Sequence, residues 1–466
     1  MSDIRVRISP SDTGKSIHIG NLKCALYNYL FAAKNGGTFY LRIEDTDLDR
    51  KVEGAAENIL NDLKWAGIAP TEGFLLDQKY PPYVQSQRQD VYENYANHLL
   101  EKGFLYKCYC TEEELNAQRE AALKINPKSP FKYPGTCRTA KDQDKPHSLR
   151  LKAPTDGHTS FSDIIFGDLS FSNKENYDFV IKRSNGGYLY SFCCVVDDIE
   201  HRTSHIIRGS DHLKNMPQQL AIYKALDATI PKMAHLGMIL NQKGEKLSKR
   251  DGSVLVSEYR DNGFAPSAIL NYLARLGWGC GNQEIFSLEE LVDKFSLEAC
   301  GKNDGKFDPK KFSATQTEHI KHERYVSDAN YVKFVRPFVG DDVSEQLILA
   351  LLPMVRPRAK TFIEAANEIK PIAKKQTPTQ EVIEKFLSPE NKERIKSLTG
   401  QLGDVKTWDE NTVKQAVNIW LEKNNLTIKD IGQSLRVSLV GRTNSPDLFQ
   451  VMNVIGREET ITRLAE

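Results

Sequence analysis

No apolar run in this chain approaches the roughly 20 residues that cross a bilayer, so it offers no candidate membrane-spanning helix and no membrane is expected among its partners. The opening MSDIRVRISP lacks the apolar core of a signal peptide, which makes the cytoplasm the expected location. Cysteine is sparse: eight in 466 residues, two of them adjacent at Cys193 and Cys194, unlike a secreted disulfide framework. Reduced thiols or a metal site remain. An excess of one charge is missing too, since 63 Lys and Arg face 62 Asp and Glu for a formal net charge of +1. A polyanion partner would therefore be held by local patches rather than by the field of the whole molecule. There is no low-complexity tract and no repeat of fixed period.

What is present is ordinary globular chemistry, with 40% apolar and 27% charged residues. The chain is too long for one hydrophobic core and divides into several units of about 100 to 200 residues. Residues 5 to 9 alternate like a short strand, and Pro10 to Gly14 is turn chemistry. From Gly20 onward, Leu22, Ala25, Leu26, Tyr29, Leu30 and Ala33 recur at helical spacing, and Asn35-Gly36-Gly37 supplies a stop. Residues 38 to 43 read as a second strand. Strand, helix and strand form a βαβ unit, whose parallel strands place ligands at their carboxyl ends, so loops 10–20 and 44–50 should face one crevice. From about Lys107 to Ser191 the pattern turns mixed, which predicts an inserted domain. Cys193 to Asp197 and Ser204 to Arg208 then look like buried strands, as though the parallel sheet resumes. Residues 256–325 look mainly helical. Beyond 326, apolar positions such as Val413, Ala416, Ile419 and Trp420 keep a helical period.

Two short motifs carry the chemistry. Thr13-Gly14-Lys15-Ser16 looks like the end of a P-loop, but that motif needs a glycine five positions before Gly14, where Ser9 stands. His18-Ile19-Gly20-Asn21 puts a histidine at the start of the first helix. It either caps that helix or adds a donor to the unpaired N–H groups there, which with the helix dipole favour phosphate. Far downstream, Lys246-Leu247-Ser248-Lys249-Arg250 sets three cations in five residues; alone it reads as a solvated basic loop.

In this order, the two motifs resemble the HIGH and KMSKS signatures of class I aminoacyl-tRNA synthetases. Arg7-Ile8-Ser9-Pro10-Ser11-Asp12-Thr13-Gly14 resembles the RFAPSPTG segment of bacterial-type glutamyl-tRNA synthetases, and Leu41-Arg42-Ile43-Glu44-Asp45-Thr46-Asp47 reproduces their LRIEDTD. Tyr190 with Val195-Val196-Asp197-Asp198, then Ile207-Arg208-Gly209-Ser210-Asp211-His212, follows their YxxxxVVDD and IRGEDH segments. The chain departs at Asp12, where a proline is usual, in one extra residue between Gly14 and His18, and at Ser210, where a glutamate is usual.

This resemblance covers essentially the whole chain and implies an α/β fold. Residues 1–106 and 192–255 would be the two halves of a Rossmann-like catalytic domain, 107–191 an inserted α+β acceptor-stem-binding domain, 256–325 a helical stem-contact domain and 326–466 an all-helical anticodon-binding domain. The implied reaction is ATP-dependent activation of L-glutamate to an adenylate and its transfer to the 3′-terminal adenosine of tRNA(Glu). Adenylate formation is an in-line attack by a carboxylate on the α-phosphate, which needs orientation and cations rather than a nucleophile. His18, Lys246 and Lys249 would stabilise the developing charge. Thr13, Gly20, Asp211 and Ser248 would join His18 and Lys249 in holding ATP, with Mg²⁺ bridging its phosphates. Arg7, Arg208 and Tyr190 would take the substrate carboxylate, Glu44 its α-ammonium, and Ser9, Ser11 and Cys194 would complete the glutamate pocket. An arginine fork matches a carboxylate, whereas a glutamine amide would set donor against donor, so glutamate should be preferred.

Within the inserted stretch, Cys108-Tyr109-Cys110 is followed by Tyr133 and Cys137. Three sulfurs and a phenolate would complete a structural zinc site, as in some relatives; three reduced structural cysteines are the alternative. The resemblance places tRNA contacts at Lys310 and Lys311, at Arg358, where the last anticodon base is read, and at Arg436, Leu448 and Phe449. Arg358 points to discrimination of tRNA(Glu) from tRNA(Gln), with a non-discriminating enzyme and a catalytically impaired tRNA-binding paralogue as alternatives. A glutaminyl enzyme ends in β-barrels, which the helical tail does not match, and a monomer is expected.

Overall fold

The computed structural model describes residues 3–46, 50–125, 131–248, 250 and 252–466. It divides into two compact units, residues 1–258 with 270–308, and residues 259–269 with 309–466.

The first unit is built on parallel strands. Strand β1 (Arg5–Ile8) is wholly buried and leads through a turn into the helix Ile19–Lys34, which the chain leaves at Asn35-Gly36 for β2 (Thr38–Leu41). β1 and β2 pair in parallel with Arg7 opposite Tyr40, and β3 (Glu72–Gly73) extends the sheet beyond β2. The predicted βαβ unit is thus the frame of the site. Strands β4 (Leu105–Cys108), β5 (Ser148–Leu151) and β8 (Val180–Lys182) make a separate antiparallel sheet. Between them in sequence, β6 (His158–Asp163) and β7 (Gly167–Ser172) form a hairpin. That hairpin belongs to another sheet, ordered β7-β6-β10-β9, with β9 (His205–Gly209) and β10 (Lys232–Leu236) parallel and Met233 opposite Asp163. Ser204 N donates to the Arg5 carbonyl at 2.9 Å, joining the start of β9 to β1.

One expected strand is a helix. Cys193 to Asp197 lies inside the helix Tyr190–Glu200, in which residues 192–198 are all buried. Burial on every side erases the polar face that gives helical periodicity away, and a short apolar run is then indistinguishable from a buried strand.

The second unit is helical, from Pro309–Lys321 to Arg457–Ala465. Ser327, Ser344, Thr361, Thr379, Ser388, Asp409 and Asp447 each cap a helix by accepting from a backbone N–H of its first turn. Val413, Val417 and Trp420 point into one core with Leu435, Val451 and Leu464, whereas Ile419 is exposed.

Candidate active site

A crevice of about 1140 Å³ opens in the first unit, lined by residues after β1 and β9, by the start of the first helix and by the loop after β2. Arg7, Ser9, Ser11, Thr13, His18, Gly20, Glu44, Tyr190, Arg208, Asp211 and Lys246 all line it. Cys194 and Ser248 do not, and Lys249 lies outside the described residues.

His18 is the N-cap of the first helix, and its Nδ1 accepts from Gly20 N at 3.0 Å. The capping role is thus met by Nδ1, which places the ring proton on Nε2, near the Leu247 backbone. Gly20 makes room for the cap, since a Cβ there would stand 3.2 Å from Nδ1. Burial and then Lys246 push the His18 pKa down, favouring the neutral ring. Ile19 N donates to Val254 O at 2.9 Å and His18 bridges to Leu255, so the segment after the basic motif lies along the helix start. Lys246 pairs with Asp211 Oδ2 at 3.8 Å. The extra residue before His18 finds a place because Ser16 is buried, donating to Asp62 Oδ2 at 2.5 Å and accepting from Ser257 N at 3.0 Å.

Beneath the crevice lies a buried lattice of charge. Arg7 spends Nε and Nη2 on Asp198, at 2.9 and 3.0 Å. Arg42 reaches Asp198 Oδ1 at 2.7 Å, Glu44 Oε1 at 3.0 Å and Asp197 Oδ2 at 3.6 Å, while Arg88 Nε donates to Asp197 Oδ1 at 2.7 Å. Three cations thus face three anions, the condition under which buried charges are tolerated. Burial alone would raise Asp198, but Arg7 and Arg42 outweigh it and hold its carboxyl below the ordinary range. Glu44 goes the other way: burial raises it against the pull of Arg42 and Arg7, and a bound ammonium would favour its charged form. Cys194 sits under this lattice, 3.8 Å from Arg7 Nη2 and 3.6 Å from Arg42 Nη2, and supports the arginines from below rather than touching the crevice.

Arg208 differs from Arg7. Its Nε donates to His235 Nε2 at 3.2 Å and its Nη2 to Gln219 Oε1 at 2.7 Å, while its buried Nη1 has no partner. Among the described residues no carboxylate comes within ion-pairing distance of it. Ser9 Oγ, also on the crevice wall, is a second buried polar atom without a partner. Tyr190 Oη and His212 Nδ1 are hydrogen-bonded at 3.1 Å. A cationic fork with a spare donor, an acidic group and a helix start bearing a histidine and a lysine suit an acidic amino acid beside a phosphate chain.

Sequence reasoning gave no role to Arg42, Asp197 or Asp198, although they stand inside the quoted LRIED and VVDD stretches. An arginine in a strand otherwise buried and a pair of adjacent acids in an apolar run are the signals that mark them. Asp163, Gln219 and His235 carry no local signal.

At the end of β4, Cys108, Cys110 and Cys137 converge with their sulfurs within 4.8 Å of one another. Cys110 and Cys137 are 3.6 Å apart, and Tyr133 Oη is 3.4 Å from Cys108 Sγ and 3.6 Å from Cys110 Sγ. A zinc ion with sulfur ligands at about 2.3 Å sets neighbouring sulfurs about 3.8 Å apart at tetrahedral geometry, so the donor set fits one. Arg150 stacks 3.8 Å over the Tyr133 ring.

In the second unit, Lys310 and Lys311 are exposed at the start of the helix Pro309–Lys321. Arg358 donates to Asn444 Oδ1 at 3.1 Å and Arg436 to Ser445 Oγ at 2.9 Å. Leu448 and Phe449, expected on an anticodon-facing patch, lie at the helical core with 5% and 8% exposure. Their helix, Leu448–Ile455, turns its apolar stripe inward.

Comparison with known proteins agrees with this geometry. Residues 3–314 match the family of tRNA synthetases class I (E and Q), catalytic domain, and residues 330–466 match an anticodon binding domain. The chain is 38% identical over 471 residues to a glutamate–tRNA ligase of Geobacter sulfurreducens, covering 100% of this chain and 98% of the relative. It is 39% identical over 475 residues to glutamate–tRNA ligase 2 of Caldicellulosiruptor saccharolyticus, covering 99% and 98%. A crystal structure of a glutamate tRNA ligase from Elizabethkingia meningosepticum, in complex with its amino acid, superposes with a TM-score of 0.82 at 30% identity, covering 99% of this chain and 98% of that one. With catalytic and anticodon-binding parts matched along its full length, the chain belongs to the glutamate–tRNA ligase family of class I tRNA synthetases.

Proposed function

We propose that the crevice joins L-glutamate to ATP and passes the glutamyl group to the 3′-terminal adenosine of tRNA(Glu). The observation that carries the glutamate reading is Arg208: a buried cation with an unpartnered Nη1 and no carboxylate within ion-pairing distance among the described residues. An uncompensated buried charge is costly, and a substrate carboxylate removes that cost. Arg7, already bidentate to Asp198, adds charge to the same wall, and Glu44 offers its carboxylate to the ammonium.

In the first step the α-carboxylate oxygen attacks the α-phosphorus of ATP, forming an O–P bond as the bond to pyrophosphate breaks. His18, Lys246 and Lys249 meet the charge that develops, and Thr13, Gly20, Asp211 and Ser248 bind the nucleotide. Mg²⁺ accompanying ATP would supply further charge neutralisation. In the second step a ribose hydroxyl of the tRNA attacks the activated carbonyl and AMP leaves. Lys310, Lys311, Arg358, Arg436, Leu448 and Phe449 are the tRNA contacts of this reading, which keeps the division at 106, 191, 255 and 325. Cys108, Cys110, Tyr133 and Cys137 would hold a zinc ion that clips the loop 108–137 together. The protein acts as a monomer in the cytoplasm; among the described residues no helix is long and apolar enough to cross a membrane.

Labelled pyrophosphate exchange and aminoacylation, run with glutamate and glutamine and with both cognate tRNAs, test this. Glutamate-dependent charging of tRNA(Glu) is expected. Failure to charge it in the presence of ATP and Mg²⁺ overturns the reading in favour of an impaired tRNA-binding paralogue.

A further inference from the structure

Arg208 is aimed by groups that never reach the crevice. Its Nε–H points at His235 Nε2, 3.2 Å away. A ring nitrogen accepts that N–H only when it bears no proton, so the proton of a neutral His235 sits on Nδ1. Nδ1 faces Asp163 Oδ2 at 2.6 Å, and the carboxylate accepts from it. Asp163 is itself fixed: Oδ1 accepts from Ile165 N and Phe166 N, both at 2.9 Å, and Oδ2 accepts from His235 N at 3.1 Å. His235 is 0%, Asp163 3% and Arg208 6% exposed, so water does not stand in for any missing partner. Gln219 Oε1 and Met216 Sδ take Nη2, at 2.7 and 2.9 Å. With Nε and Nη2 both tied, the planar guanidinium has one orientation, and Nη1 is what remains for a ligand.

Electrically the arrangement is unlike that of Arg7. A carboxylate placed directly on Arg208 would neutralise it and compete with the substrate. A neutral imidazole between Asp163 and Arg208 holds the cation in place while leaving its charge to be met from the crevice.

We propose that Asp163 and His235 are positioning residues for glutamate binding: the carboxylate sets the imidazole tautomer, and the imidazole turns Arg208 so that Nη1 serves the substrate carboxylate. The proposal rests on the reading of Arg208 as the substrate-carboxylate clamp. It also gives the hairpin β6–β7 a part in amino-acid recognition, since Asp163 ends β6 and crosses to β10.

The test uses the full-length enzyme in glutamate-dependent pyrophosphate exchange, with thermal unfolding to confirm folding. Asp163→Asn puts a donor opposite Nδ1, because the Ile165 and Phe166 amides claim the oxygen; the tautomer inverts and Nε2–H opposes Arg208 Nε–H. His235→Phe deletes the acceptor, and His235→Gln restores one at the position of Nε2. KM for glutamate should rise about tenfold or more in Asp163→Asn and His235→Phe, KM for ATP should stay within about twofold, and His235→Gln should recover most of the loss. Equal glutamate KM in wild type, His235→Phe and His235→Gln overturns the proposal, as does an equal rise in both KM values. Arg208→Ala separates the layers. If it leaves the glutamate KM unchanged, the clamp reading falls and this proposal with it; if it raises that KM while the variants at 163 and 235 do not, positioning alone falls. Should Asp163→Asn not fold, the pair at position 235 decides.

Discussion

Asp12 Oδ2 lies 3.7 Å from Lys51 Nζ, at the position of the loop where a second proline, after Pro10, is usual. The same ammonium is 3.2 Å from Asp45 Oδ2, and Val52 N donates to the Asp12 carbonyl at 3.0 Å. In place of a rigid proline, this chain thus ties the loop after β1 to the loop after β2 through a shared cation.

That tie has a pH signature. Burial raises the Asp12 pKa, Asp45 raises it further, and Lys51 only partly opposes them. A carboxyl raised on folding contributes stability that is fully present below the ordinary carboxylate range and is lost as pH rises through the elevated value. Asp12→Asn removes a charged group whose Oδ1 is buried without a partner, so it should stabilise the protein by about 1 kcal/mol near neutral pH and by little in acid. Urea unfolding at both pH values measures this. A gain larger in acid than at neutrality contradicts the assignment.

His18 serves two purposes that one substitution pair separates. His18→Ala removes both the cap and the Nε2–H, and should cost about 1 kcal/mol of stability and reduce pyrophosphate exchange by roughly 10²- to 10³-fold. Asparagine is a good N-cap, so His18→Asn should recover the stability and not the exchange. Near-normal exchange in His18→Ala would sink its proposed role.

How far these features were legible depends on whether the signal is local. The first βαβ unit was readable because its helix runs for 16 residues between two strand-like runs and stops at Asn35-Gly36. The helix Tyr190–Glu200 was not, because residues 192–198 have no exposed face to set a period. His18, Glu44 and Arg208 stood in contiguous motifs. Asp163 and His235 are 72 residues apart and meet only because β6 lies beside β10. The burial of Phe449 likewise comes from helices that pack together only in the fold.

The cysteine cluster yields a stoichiometry. Purified protein should contain close to one zinc per chain, and Cys137→Ser should lose it with a fall in thermal stability. Tyr133 Oη accepts from Cys137 N at 2.9 Å and lies beside two sulfurs, so Tyr133→Phe should also weaken zinc retention under a competing chelator. Much less than one zinc per chain in the wild type would leave three reduced thiols as the correct description. Cys110, which burial pushes up to about 12, would then stay protonated at neutral pH.

Arg358 carries the last prediction. Its Nε lies 3.5 Å from Glu368 Oε2 and its Nη2 donates to Asn444, yet 40% of the side chain is exposed, so the guanidinium is oriented and still reachable. Arg442 reaches the same Glu368 at 3.3 Å, which keeps that carboxylate from neutralising Arg358 alone. A fixed arginine fork favours a base edge offering acceptors, and one such pair is worth about 1 to 3 kcal/mol of discrimination. The wild type should therefore charge tRNA(Glu) far better than tRNA(Gln), and Arg358→Gln should shrink that ratio by roughly tenfold or more. The ratio of kcat/KM for the two tRNAs is the measurement. A loss of charging equal for both tRNAs would make Arg358 a phosphate contact, and equal charging of both by the wild type would make the enzyme non-discriminating, because a residue that reads a base must penalise the wrong one.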